Sequence, residues 1–113
     1  MHDYHKAVDM VNFAKEKAEQ LGKSKVTKIN IVVGESSGYS ADSICMYFKE
    51  VSEGTVCEGA EVSVKHVKSM LQCPNCGELY ARKLMHYECP KCGTEGEPSK
   101  IGTEIEIEGI EAE

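Results

Sequence analysis

No run of Lys or Arg in this chain of 113 residues is long enough to track a phosphate backbone, and its 13 basic side chains are outnumbered by 19 acidic ones, for a formal net charge of -6. A chain so charged lacks the electrostatic footprint of a nucleic-acid binder, so no nucleic acid is expected as a partner. No apolar stretch approaches the ~18 to 20 residues that a helix needs to cross a bilayer. The first residues also lack the basic start and apolar core of a signal peptide. These absences read as a cytoplasmic protein without membrane insertion. Low-complexity segments are missing too, as are internal repeats other than two cysteine pairs. Without an export signal, the six cysteines are expected to stay reduced, as thiols or as metal ligands. The length allows one ordinary domain or two very small ones, and a unit below roughly 70 residues usually needs a staple such as a metal.

What is present begins with helical periodicity. Ala7, Val11, Ala14, Ala18 and Leu21 recur at steps of four and three and so share one face, while Lys15, Glu16, Lys17 and Glu19 point outward. Gly22 stands where a C-terminal cap belongs. "VTKINIVVG" is rich in β-branched residues, with Thr27, Ile29, Ile31 and Val33 on one side and Lys28 and Asn30 on the other, and reads as a strand ending at Gly34. Ser40 is the expected N-cap of a second helix in which Ile44, Tyr47, Phe48 and Val51 repeat the helical spacing, with Asp42 in its first turn and Gly54 just past its end. "AEVSVKHVK" alternates as a strand with Val62 and Val64 inward, and "TEIEIEGI" alternates again with Ile105 and Ile107 on one face and glutamates on the other. The expected fold class is α+β: a small three-stranded sheet with two helices, whose last strand comes from the C-terminal part of the chain. The Cys-rich stretch is then an insertion. Residues 1–69 and 101–113 would form one unit and 70–100 a second, with "TEGEPSK" as a connector.

That insertion contains "CPNCGELYARKLMHYECPKCG", in which Cys73 and Cys76, then Cys89 and Cys92, form two identical C-P-x-C-G turns separated by twelve residues. Zn²⁺ takes four soft ligands in a tetrahedron, and each turn offers two thiolates at the tip of a tight loop. Pro74 and Pro90 preset φ, while Gly77 and Gly93 allow positive φ, so that backbone N–H groups turn toward the sulfurs. The spacing predicts a zinc ribbon, and four thiolates leave no open position for water or substrate, so the zinc is structural. Such a unit has too few large apolar side chains to fold alone, and the metal supplies the missing free energy. A redox role for the two C-x-x-C pairs lacks a thioredoxin-like βαβ context. Cys45 and Cys57 have no partners at ligand spacing and read as buried or half-buried thiols. His66 reads as a core or edge histidine of its strand, and His86 and Tyr87 as hairpin residues.

The terminal "MHD", the first helix, "VVGESSGYSADSICMYFKEVSEGTVCEGAEV", the ribbon and the closing "EIEIEGIE" together resemble the HypA/HybF family of nickel metallochaperones for nickel–iron hydrogenase maturation. The resemblance spans essentially the whole chain. It implies that His2 is the principal nickel ligand, with Met1 and Asp3 contributing. It also implies two partners, a nickel-handling maturation GTPase and the hydrogenase large-subunit precursor; a carrier of this kind breaks no bond and so is not an enzyme, and a monomer or weak dimer is expected. The family usually reads Met-His-Glu, and Asp3 departs from it, so only the backbone nitrogen of the third residue carries over. The chemistry agrees, because Ni²⁺ accepts square-planar nitrogen donors. The Met1 amine, the His2 amide and imidazole, and the Asp3 amide close small chelate rings, and a residue as large as His2 is expected to preserve Met1. If the helix starts at Asp3, His5 falls one turn from His2, within axial reach of the metal. The alternative reading is a zinc-ribbon protein-interaction adaptor without nickel delivery. An enzyme is disfavoured by the closed thiolate site and the lack of a coherent nucleophile and base.

Overall fold

The structure is a computed structural model and describes residues 2–81 and 85–113. Helix α1 (His2–Leu21) leads into strand β1 (Val26–Gly34), helix α2 (Ala41–Val51) and strand β2 (Glu61–Val67). Three short strands follow, β3 (Met70–Gln72), β4 (Leu79–Ala81) and β5 (Glu97–Pro98), before β6 (Ile105–Ala112) closes the order. Two three-stranded sheets result, β2-β1-β6 and β4-β3-β5. In the first, β1 runs parallel to β2 and antiparallel to β6, so the strand after the cysteine-rich segment does return to the sheet begun before it. The α+β class with an inserted small module is what the periodicities predict. Among the described residues no helix is long and apolar enough to cross a membrane.

The helices form where the spacing predicts, and their ends are chemically capped. Ser40 Oγ accepts the Ser43 N–H at 3.3 Å, closing the start of α2. α1 ends as Gly22 adopts φ +68 and the Lys23 N–H reaches back to the Ala18 carbonyl at 2.8 Å. α1 and α2 pack together over the sheet, burying Ala7, Met10, Ala14, Ile29, Ile44 and Phe48 in one core. Val62, Val64, Ile105 and Ile107 flank that core as the alternation requires.

Three expectations are corrected. Leu21, the last residue of α1, is 59% exposed where the chain turns away at Gly22, while Met10 takes a fully buried place on the helix face. In β1 the buried residue at the strand start is Val26, not Thr27, because the pairing with β6 shifts between Val26 and Lys28, and the Thr27 hydroxyl instead donates to the Glu111 carbonyl. Finally, "TEGEPSK" is not only a connector, since Glu97–Pro98 pairs with β3 as the third strand of the small sheet.

Gly34 marks the junction of the two sheets. Its N–H donates to the Glu104 carbonyl at 2.6 Å, and a Cβ built there would overlap the Gly102 carbonyl group. Backbone cannot swing aside as a flexible side chain can. Gly34→Ala is therefore expected to cost about 1–3 kcal/mol, whereas Gly109→Ala, which meets open space, should stay within about 0.5 kcal/mol of the native protein. Chemical denaturation of the two variants checks the difference.

Candidate metal centres

The four cysteines of the insertion converge. Their Sγ atoms all lie within 4.8 Å of one another, with Cys73–Cys92 at 3.4 Å, Cys76–Cys89 at 3.6 Å and Cys76–Cys92 at 3.8 Å. A tetrahedron with metal–sulfur bonds of about 2.3 Å has edges of about 3.8 Å. The donor set therefore fits a soft, four-coordinate ion. The two turns are built alike. The Gly77 N–H donates to the Cys73 carbonyl and the Gly93 N–H to the Cys89 carbonyl, each at 2.9 Å, with positive φ at both glycines. The Cys76 N–H donates to Cys73 Sγ and the Lys91 N–H to Cys89 Sγ, each at 3.4 Å, which offsets negative charge on the sulfurs. An ion pair of 3.5 Å between Lys91 and Glu78 ties one turn to the other.

The thiols also titrate unlike isolated ones. Hydrogen bonds from the hydroxyl and the N–H of Thr94 bring Cys92 down to about 6. At Cys76 the backbone N–H of Glu78 favours the thiolate, but its hydrogen bond to Cys89, loss of some hydration beside the other sulfurs, and hydrogen bonds with Cys73 and Cys92 outweigh it and push the thiol up to about 12. Clustered sulfurs cannot all ionise without a cation between them. Cys73 and Cys89 are buried while Cys76 and Cys92 are exposed, so the centre sits at the surface with one side packed on Leu71 and Tyr80.

The amino terminus is arranged differently. α1 starts at His2, so the N–H groups of its first turn have no intrahelical acceptor and are free for other partners. His2 is exposed, and its ring stands edge-on to Tyr39 with centroids 5.7 Å apart and planes 79° apart. The Asp3 carboxylate accepts the Ser40 N–H at 3.1 Å, tying the first turn of α1 to the cap of α2. This gives the shortened third-residue acid a structural use. Tyr4 packs edge-on to Tyr47 of α2, with centroids 5.6 Å apart, and stands beside His5. Met1 lies outside the described residues. Among the described residues the four-cysteine set is the convergent group of three or more His, Cys, Asp or Glu donors, and His2, Asp3 and His5 do not form another.

Cys57, Cys45 and His66 take the bland roles expected of them. Cys57 is fully buried with Sγ 3.9 Å from the Val11 carbonyl, and burial raises its thiol. Cys45 is half-buried, and burial and then Asp42 raise it as well. His66 is exposed on the edge strand β2, and His86 is exposed outside the cysteine cluster. Tyr39 and Ser40 are the residues that sequence reasoning missed at the amino terminus. Their contacts cross 37 positions of sequence, and no local pattern announces them.

Comparison with known proteins gives one consistent result. A family model described as "Hydrogenase/urease nickel incorporation, metallochaperone, hypA" matches residues 1–112. A hydrogenase maturation factor HypA from Caldanaerobacter subterraneus subsp. tengcongensis is 38% identical over 114 residues, covering 100% of both chains. One from Chlorobaculum parvum is 31% identical over 113 residues, again covering 100% of both. Among solved structures, a solution structure of a HypA protein superposes with a TM-score of 0.74 at 22% identity, covering 99% of this chain and 96% of that one. The Ni metallochaperone HypA from Helicobacter pylori superposes with a TM-score of 0.63 at 20% identity, covering 97% and 96%. At those identities the two structures speak for the fold.

Proposed function

The chain belongs to the HypA family of hydrogenase/urease nickel-incorporation metallochaperones, and from that premise we propose that it holds Ni²⁺ reversibly at its first three residues and passes it on for hydrogenase maturation. The Met1 amine, the His2 amide and imidazole and the Asp3 amide are the donors. Delivery goes to a hydrogenase large-subunit precursor, with a nickel-handling GTPase as partner, by ligand exchange through a mixed complex. No bond of a substrate is broken, so the protein is a carrier and not an enzyme. Residues 1–69 and 101–113 form the nickel-binding unit, and 70–100 the ribbon.

The observation that carries this reading is the position of His2, exposed at the first turn of α1. Amides there can lose their protons to a metal without breaking a helical hydrogen bond. The positive end of the helix dipole opposes a bare cation, but it also favours ionisation of those amides, and two ionised amides cancel the charge of Ni²⁺. A site of this kind is open to solvent and can be dismantled one donor at a time, which suits a cargo.

The four cysteines Cys73, Cys76, Cys89 and Cys92 would hold a structural Zn²⁺, supported by the tetrahedral spacing of their sulfurs. That ion supplies folding free energy to the ribbon and takes no part in transfer.

Nickel titration with a spectroscopic readout tests the proposal on three proteins: the native chain, His2→Ala, and a version extended by a few residues before Met1. The extension removes the α-amine and leaves every side chain in place. Both altered proteins are expected to lose the square-planar nickel spectrum and the tight binding phase. Equal affinity and an equal spectrum in all three would favour a ribbon adaptor in which His2 is incidental.

A further inference from the structure

Two neighbouring residues of one loop hold two neighbouring residues of the amino terminus. Tyr39 sets its ring against the imidazole of His2, and Ser40 donates its backbone N–H to the carboxylate of Asp3. Lys6, one turn beyond His2, places its ammonium 5.8 Å from the centre of the same tyrosine ring. One ring thus neighbours two residues of the first turns of α1, an imidazole and an ammonium. Aromatic pairs in edge-on geometry and a cation over a ring face are both attractive arrangements.

The loop that carries Tyr39 is itself fixed. The Tyr39 N–H donates to Ser37 Oγ at 3.2 Å, while nearer β1 the Glu35 N–H donates to the Val67 carbonyl at 2.8 Å and the Ser36 N–H to the Gly102 carbonyl at 2.7 Å. At its far end Ser40 begins α2. Tyr39 is therefore mounted on a platform anchored at both ends, whereas His2 is exposed and rotates about its own side-chain bonds unless something holds it.

We propose that Tyr39 is a positioning residue for the nickel-binding terminus, holding the His2 imidazole in one orientation before the metal arrives. The inference rests on the nickel reading given above. The contact is ring to ring, so it orders the imidazole and spends neither of its nitrogens. Immobilising a free side chain costs affinity each time a ligand binds, and prior ordering removes part of that cost. Asp3 contributes in the same sense, since its carboxylate is occupied by Ser40 and its backbone is kept at the start of the helix.

The test measures nickel affinity by competition with a chromophoric chelator, together with circular dichroism of the nickel d–d bands, on Tyr39→Ala, Tyr39→Phe and His2→Ala. Tyr39→Ala is expected to weaken nickel binding roughly two- to tenfold and to alter the dichroism of the bound metal. Tyr39→Phe, which keeps the ring, should restore both. A purely structural role would move the melting temperature and leave the dichroism alone. If Tyr39→Ala fails to fold, Tyr39→Leu replaces it, keeping bulk without the aromatic edge. Unchanged or tighter binding in the Ala or Leu variant overturns the proposal, as does a Phe variant as weak as Ala. His2→Ala separates the two ideas: if it binds nickel like the native chain, the nickel reading itself fails, and if it loses nickel while Tyr39→Ala does not, only the role of Tyr39 fails.

Discussion

Cys89→Ser, or removal of the metal by a strong chelator, is expected to unfold residues 70–100 and leave the sheet β2-β1-β6 standing. The buried cluster of the insertion is Leu71, Cys73, Tyr80 and Cys89. Two of its four members are the proposed zinc ligands, so the apolar contribution without a metal is little more than one leucine and one tyrosine. The strands add little, since β3 and β4 have three residues each and β5 has two. Against this, a structural zinc site contributes about 10–16 kcal/mol of apparent binding free energy near neutral pH. The larger core of α1, α2 and β1 lies in a separate cluster and loses none of its contacts. Amide hydrogen exchange reads the outcome. Protection should vanish at Leu71 and Tyr80 and persist at Ile29 and Ile31. Acidification should act in the same direction, because protons compete with the metal for thiolates. Loss of protection in both sheets together would show that the metal supports the whole chain.

Phe48→Ala should have the opposite selectivity, costing about 3–5 kcal/mol of the stability of the larger core while leaving metal content unchanged. Phe48 is 2% exposed and is the largest of the fully buried side chains, packed with Met10, Ile29, Ile31 and Ile44. Phe48 also lines a cleft of about 460 Å³ beside Cys45, Ser52 and Val62, so the space left by alanine is expected to open toward that cleft instead of closing. A loss of this size is a large share of the about 5–15 kcal/mol that holds a typical domain folded. Chemical denaturation followed by far-UV circular dichroism checks it. A midpoint within experimental error of the native protein would mean that the core repacks around the smaller residue.

Much of this architecture is legible in the residues themselves, for a physical reason in each case. The two C-P-x-C-G turns can be read because a tetrahedral metal dictates spacing, proline and glycine together, and the structure sets both glycines at positive φ with paired N–H bonds. Ser40 is readable because capping is local. Burial along β1 reads less well, since a shift in pairing with a strand some eighty positions away decides that Val26 and not Thr27 faces the core. Leu21 obeys the helical spacing, but the spacing does not say what the last residue before the turn at Gly22 packs against. The short strand at Glu97–Pro98 is specified by its partner Leu71 and hides in a segment of turn-forming composition. At the amino terminus, no period or spacing singles out His2, and only the likeness to a family does so. The contacts of Tyr39 and Ser40 with the first turn were invisible for the same reason as the strand register: both are tertiary.

The placement of the ribbon between β2 and β6 has a consequence for how the protein is made. As a nascent chain leaves the ribosome, β1 and β2 emerge first, then the cysteine turns, and only later β6, which must pair along almost the full length of β1. Until then one side of β1 is an unpaired and largely apolar edge, open to unwanted association. A ribbon that has already captured its metal brings Met70 next to Ile101 and Ser99, folding the long excursion into a narrow neck and delivering β6 to its place with less chain entropy to lose. A metal held by the four cysteines would thereby shorten the interval in which the half-built sheet is vulnerable, even though the finished sheet does not depend on it.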